Sequence, residues 1–368
     1  MSKINKKQSR VNFLILTFIL VCAILGGIFF TKTQSSRSNI EKSEQFIHSD
    51  RTRWSPRYIF GEEDREMFPV INKPTYINAE QAKEFLNDAD IIYTFEYSGK
   101  TYAYPALILS YHHLVNDTVG GKPVVMTLCL LSGSSAVYSR DVDNQVFSFG
   151  VLGSLYNGNL IMFDDKTNSY WLQLTGDAIE GFSTNSKLAT FSSVESVRWK
   201  DVKNRENLNV LPPIREMKFY REFYQSFLKS PFGVESLGER KQNTKFDTFT
   251  TGLGIEVRNV SKFYPLKSLE EEMLINDDVN DWPILIIQDP IADTPRIFKR
   301  TVQKRVLTFF LKDKQLLDNQ THSVWNMKGE AIGGELKGTK LDQPVYTQVY
   351  WYSWAAFYPD TLIFQQGQ

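Results

Sequence analysis

The chain of 368 residues holds only two cysteines and four histidines, so thiol and imidazole chemistry have few places to reside. Cys129 closes the apolar run Val124-Val125-Met126-Thr127-Leu128, and Ser132 follows it in the next turn. A cysteine acts as a nucleophile through its thiolate, which needs nearby positive charge, a helix N-terminus or a hydrogen-bonding partner. The next charge along the chain is Arg140, and His112, in the pair His112-His113, is the candidate base. The same residues also admit a structural reading. Free cysteine often behaves as a small buried hydrophobe, and His112-His113 on a partly apolar segment reads equally as a hydrogen-bonded core pair. A second group offers amide and phenol chemistry for a binding loop: Tyr156, Asn157 and Asn159 in the stretch GVLGSLYNGNL, with Gln173 beyond it. A metal centre needs three or four converging ligands. With His48 and His322 far from His112-His113 in sequence, no metal is expected. G-x-S-x-G, P-loop, dinucleotide and H-E-x-x-H motifs are absent, and no cofactor is expected.

The elements that must position these groups read mainly as strands. Aromatic residues make up 14% of the chain, with 26 Phe and 17 Tyr, and such side chains suit pleated, half-buried surfaces. Residues 123–131 form a short apolar run bounded by Gly120-Gly121 and Ser132-Gly133; 145–151 alternate apolar and polar; 160–163 are apolar again. Residues 164–168 read as a turn into a strand carrying Trp171. The spacing predicts a capped helix over 78–86, a connecting helix over 216–228 and a loop over 240–251.

An internal repeat organises the rest. Tyr104-Pro105 returns as Tyr264-Pro265, Asn116-Asp117 as Asn276-Asp277, Arg140 as Arg300 and Phe149 as Phe309, all at one constant interval. At a slightly shorter interval Asp164, Thr167, Ser169 and Trp171 return as Asp318, Thr321, Ser323 and Trp325. Asp177 likewise returns as Glu330, so these acidic positions point to turns and not to an acid/base pair. The expected fold is mainly β, with α+β as the alternative: an internal duplication giving two related β-rich lobes, 56–205 and 253–368, joined by a connecting helix and loop over 206–252. Residues shared by both copies read as structural. Cys129 faces Asp289, His112 faces Glu272 and Ser132 faces Ala292, so these belong to the first copy alone, as does extra length within 150–160.

At these residues the chain resembles the family catalogued as domain of unknown function 3179. The segments VVMTLCLLSGSSAVYSR, FGVLGSLYNGNLIMFD and SYWLQLTGDAIEG carry the likeness, and WNMKGEAIGGELKG with WYSWAAFYPDT is similar to the family's ending. The family typically shows His-x-x-Val-Asn-Asp, then Cys-Pro-Leu-Cys-Gly-Thr, a Tyr-Asn-x-Asn loop and Trp-x-Gln-x-x-Gly-x-Ala. The resemblance places His112, Asn116, Asp117, Cys129, Asn157, Asn159 and Gln173 on those motifs and implies thiol or selenol redox chemistry. This chain departs from the pattern: Leu130 stands for the proline and Ser132 for the second cysteine. A dithiol cycle needs a second thiol to resolve the mixed disulfide, so that cycle is lost here.

Two functions are expected in consequence: a binding or scaffold module with a degenerate Cys-x-x-Ser site, or a single-thiol oxidoreductase or related thiol enzyme using Cys129 with His112. The N-terminus bears on location. Lys3, Lys6, Lys7 and Arg10 precede an uncharged run over 11–30, about 30 Å long as a helix and thus bilayer-spanning. The flanking charge puts 1–10 in the cytoplasm and the bulk outside a bacterial cytoplasmic membrane, as a single-pass signal anchor. Residues 31–55 are polar and Ser-rich and read as a flexible stalk. Lys+Arg and Asp+Glu are each 42, so no basic excess marks a nucleic-acid partner; an unknown ligand or protein, and the membrane through the N-terminal helix, are the expected partners.

Overall fold

The computed structural model describes residues 68–229 and 243–365, and the expected anchor and stalk lie outside them. Among the described residues no helix is long and apolar enough to cross a membrane. The described chain is mainly β. In the first half, Ile91–Tyr97 and Lys100–Pro105 form a hairpin, and the helix Ala106–His112 follows at once. The strands Leu114–Val119, Lys122–Cys129 and Ser134–Ser139 then run antiparallel in a five-stranded sheet. A second sheet takes Phe149–Tyr156, Asn159–Asp164, Tyr170–Leu172 and Ala178–Glu180.

The same order of elements occurs again later in the chain. Thr251–Val257, Val260–Pro265 and the helix Leu266–Glu272 precede Leu274–Val279, Trp282–Asp289 and Thr294–Lys299. Phe309–Lys312, Gln315–Asp318, Val324–Trp325 and Ala331–Gly333 then form the second half's own four-stranded sheet. Turn chemistry explains the hairpins. Gly120 and Gly121 have φ of +53° and +79°, and Asn280 and Asp281 occupy the same left-handed region at +49° and +61°, as a two-residue turn matched to strand twist requires.

The central strand of each half is buried on both faces, which is why it reads as a continuous apolar run. Val124, Met126 and Leu128 enter one core with Phe95, Tyr104 and Ile108, whereas Val125 and Cys129 enter the other with Phe149, Met162 and Trp171. Period-two alternation alone sends Cys129 inward. In the second half Ile284 and Ile286 face one core, and Leu285 and Ile287 the other with Phe309 and Trp325.

The residues common to both halves hold the fold in matching ways. Asp164 accepts from Thr167 and from the Trp171 indole at 2.9 Å, and Asp318 does the same with Thr321 and Trp325 at 3.0 Å. Asn116 bridges to both backbone groups of Phe149, and Asn276 to those of Phe309. Buried Arg140 donates to the carbonyls of Val124 and Phe147, and Arg300 to those of Ile284 and Leu307.

Two boundaries differ from the sequence expectation. The helix expected over 78–86 is the single turn Ala79–Ala82, with Asn78 and Gln81 in a capping box; the N–H groups of Glu84 and Phe85 then tighten onto carbonyls three residues back. The strand Leu208–Val210, within the segment expected to connect the halves, pairs in parallel with Lys100–Pro105 and so completes the first half's sheet. The connecting helix is Met217–Lys229, and its Tyr220 packs into the first half's core.

Candidate functional site

Cys129 ends its strand and enters the turn that leads to Ser134. Its thiol is buried, 1% exposed, and its nearest acceptor is the Gly158 carbonyl at 3.9 Å. Burial pushes the Cys129 pKa up; hydrogen bonds from the Ser132 hydroxyl and from the amides of Ser132, Leu160 and Leu131 offset part of that rise. Burial is the larger effect, and the net shift keeps the group a thiol.

Ser132 belongs to a fully buried polar network. Its Oγ lies 2.7 Å from Ser134 Oγ and accepts from Asn159 Nδ2 at 2.9 Å. Gln173 Oε1 accepts from Ser134 and Asn159, each at 2.8 Å, and Gln173 Nε2 donates to Thr127 Oγ1 at 2.8 Å. Asn159 Oδ1 takes the Leu174 amide at 3.0 Å. A network with all its members satisfied rigidifies a core, and losing one member strands the others. Sequence reasoning misses Ser134 and Thr127, although Ser132-Gly133-Ser134-Ser135 is visible as a hydroxyl-rich stretch.

The hairpin tip expected to present a polar loop does not project into solvent. Tyr156, Asn157 and Asn159 are all buried. Asn157 Nδ2 donates to the Ala356 carbonyl at 3.0 Å, Ser353 Oγ donates to the Asn157 carbonyl at 3.1 Å, and Tyr156 meets the Phe357 ring edge-on. The longer strands of this hairpin, 8 and 6 residues against 4 and 4 in the second half, reach the helix Trp351–Phe357. Tyr352 OH donates to the carbonyls of Leu131 at 2.9 Å and Gly158 at 3.3 Å, so this tyrosine covers the Cys129 turn. Only glycine fits at 158: φ is +74° and a Cβ would lie 2.3 Å from the Tyr352 ring. Tyr350 adds a second lid, with its amide on the Ser132 carbonyl at 2.7 Å. No local sequence signal links these tyrosines to Cys129.

His112 is not hydrogen-bonded to the thiol. Its Nδ1 donates to the Pro69 carbonyl, which leaves Nε2 to accept from Tyr220 OH at 2.9 Å. Burial lowers its pKa, with the Pro69 bond opposing. Both nitrogens are thus committed to the first half's core. His113 closes the helix Ala106–His112 at φ +59° and donates from Nδ1 to the Leu128 carbonyl at 3.1 Å. Among the described residues, no three His, Cys, Asp or Glu side chains converge as a metal site would need.

Burial drives the His113 pKa from 6.5 down to about 4. The folded state therefore holds it neutral where the unfolded chain takes up a proton. Its stabilisation is complete above pH 6.5, falls as the pH drops, and is spent below about pH 4, a loss of about 3 kcal/mol. Urea melts across this window should show the decline, and His113→Gln should flatten it.

The site is thus a sealed turn at the end of a buried strand, roofed by tyrosines from the other half of a two-part β-rich chain. The chain belongs to the family described as protein of unknown function (DUF3179), whose model matches residues 65–361. No curated protein and no solved structure matches the chain.

Proposed function

We propose that this chain is a membrane-tethered extracytoplasmic binding or scaffold module in which the family's Cys-x-x-Cys turn has become Cys-x-x-Ser. In this reading residues 1–10 stay in the cytoplasm, 11–30 cross the membrane, and 31–55 carry two halves that descend from one duplicated unit. The basic flank before the apolar run supports the topology, and the shared residues with their matching hydrogen bonds support the duplication. The observation that carries the functional reading is the burial of Cys129, whose pKa is raised and whose family partner is a serine tied into a buried network.

A second reading, a single-thiol enzyme using Cys129, is favoured by the backbone of Ser132, Leu160 and Leu131, which pulls the Cys129 pKa down against burial. In the second half Asp289 stands in place of Cys129. Burial would raise its carboxyl pKa, but the amides of Ala292 and Ile291, at 3.1 and 3.0 Å, and the Arg296 guanidinium hold it below the usual range. A turn of this shape can therefore hold an anion.

The variant Ser132→Cys separates the two. Ser132 lies in the same turn, its Oγ 3.4 Å from the Cys129 carbonyl, so the variant is expected to close an intramolecular disulfide with glutathione disulfide and to gain disulfide exchange activity that the native chain lacks. Exchange activity in the native chain that disappears in Cys129→Ser would establish the enzyme reading instead. For the topology, protease added to spheroplasts should release a fragment of nearly full size, and complete protection of residues beyond 55 would refute it.

A further inference from the structure

The two halves differ at one sheet edge. In the first half the short strand Ile71–Asn72 runs along the outer side of Leu114–Val119 and pairs with it in parallel, Ile71 beside Val115 and Asn72 beside Asn116. The Lys73 amide donates to the Asn116 carbonyl at 2.9 Å, and Asn116 Nδ2 donates to Asn72 Oδ1 at 2.9 Å. The residues around this strand cover the cores beside it. Phe68 and Val70 pack on the cluster that holds Leu114, and Ile71 enters the other core with Val115. Leu114, Asn116 and Asp117 are accordingly at most 3% exposed.

In the second half the equivalent strand, Leu274–Val279, is the outermost of its sheet, and among the described residues no strand pairs with its outer side. Asn280-Asp281 close its hairpin as a two-residue turn, so the pair Val279–Trp282 is hydrogen-bonded and the pairs alternate from there. The amide and carbonyl of Asn276 therefore point away from Trp282–Asp289, as those of Asn116 point toward Ile71–Asn72. Asn276 Nδ2 donates to the Phe309 carbonyl at 2.8 Å, and among the described residues no counterpart of Asn72 meets its second hydrogen. Leu274, Asn276 and Asp277 are only half-buried, unlike their counterparts. Asp277 is paired with Lys262 at 2.5 Å and Asp278 with Arg300 at 2.8 Å. Exposed Glu272 stands in the place of His112, which in the first half touches Pro69 just ahead of the added strand.

We propose that this edge binds an extended peptide of a partner protein, laid parallel to Leu274–Val279 in the place that Ile71–Asn72 fills in the first half. Apolar side chains of the peptide take the positions of Phe68 and Val70 and cover Leu274, and a basic residue between them lies beside Glu272. The inference rests on the binding-module reading and gives it a partner class. An added strand binds through main-chain hydrogen bonds, and its alternate side chains give specificity. A second copy of the chain suits the edge less well. Two such edges paired through Asn276 turn Asp278 of each toward the Glu272 end of the other, and like charges across strands destabilise.

The test is fluorescence anisotropy of a labelled peptide, Phe-Lys-Val-Ile-Asn-Lys-Pro, titrated with the detergent-solubilised full chain. The peptide has the sequence of residues 68–74 with Pro69→Lys. Saturable binding is expected. Methylating the amide nitrogen of the Lys after Asn, the counterpart of the Lys73 amide, should weaken binding at least about tenfold, because a ladder hydrogen bond is lost and bulk is added. Methylating the Asn amide, which the alternating ladder turns away from the edge, should leave binding nearly unchanged. Glu272→Lys should weaken it about threefold, as reversal at an exposed ion pair does. Cys129→Ser should bind as the native chain does. Absence of saturable binding, equal weakening by the two methyl groups, or unchanged binding in Glu272→Lys overturns the proposal. Peptide binding that fades as the chain self-associates would assign the edge to a second copy and overturn it too. A reactive Cys129 would sink the binding-module reading whatever the peptide does, whereas missing peptide binding beside an inert Cys129 sinks this inference alone.

Discussion

Arg296→Met is expected to cost about 3–5 kcal/mol, the largest single effect anticipated in this chain, because it removes the buried guanidinium that two partly buried carboxylates share. Arg296 is 2% exposed, and its two carboxylate partners, Glu195 and Asp289, are 19% and 14% exposed. Methionine keeps the volume, so lost packing contributes little. The loss comes from Asp289, left with only the amides of Ile291 and Ala292, and from Glu195, left with Arg205 at 3.8 Å. A second measurement isolates that cause. Adding Glu195→Gln and Asp289→Asn to Arg296→Met should restore a large part of the stability, since the carbonyl oxygen that Asp289→Asn retains can still accept from the amides of Ile291 and Ala292. Urea denaturation of the three proteins checks both steps. If the triple variant is no more stable than the single one, unpaired charge is not the cause. Because Glu195 lies in the first half and Arg296 in the second, the same experiment reports on how firmly the halves are joined.

Gln173→Ala is the second large effect, expected at about 3 kcal/mol or more, since it strands several buried donors and acceptors at once. Ser134 loses its acceptor, Asn159 loses one of its bonds and Thr127 loses a donor, all in full burial. The second half supplies an internal control. Asn326 occupies the place of Gln173 but only accepts from the amides of Lys328 and Glu330 at an exposed turn. Asn326→Ala should therefore cost about 1 kcal/mol, as the loss of a solvent-accessible side-chain bond to backbone amides does. Equal costs at the two positions would show that the buried network adds nothing beyond its turn.

Much of the fold was legible because its signals are local. The run ending at Cys129 is continuous and apolar because both of its faces are buried, and Gly120-Gly121 before it takes the left-handed backbone of a two-residue turn. Asp164, Trp171 and their counterparts were legible as structural because each makes the same short-range hydrogen bonds within its own turn. The site was legible only in part. Cys129, Ser132, Asn159 and Gln173 do come together, but the hairpin tip reads as a surface loop until the helix Trp351–Phe357 is placed on it. His112 likewise reads as a base until Pro69 and Tyr220, remote in sequence, take both of its nitrogens. Contacts of that range depend on which sheet faces which, and residue spacing along the chain does not carry it.

The central claim, that the Cys129 turn is a sealed remnant of a thiol site, is tested most directly by the alkylation rate of Cys129 in the folded full chain with iodoacetamide across a pH series. Cys22 also carries a thiol, so the rate is read by mass spectrometry of the peptide bearing Cys129. Cys129 is 1% exposed with its pKa raised by burial, so alkylation should be far slower than for an unhindered thiol and should accelerate only where urea unfolds the protein. Rapid alkylation of the folded chain at neutral pH, slowed by His112→Ala, would contradict the account and make the chain a single-thiol enzyme.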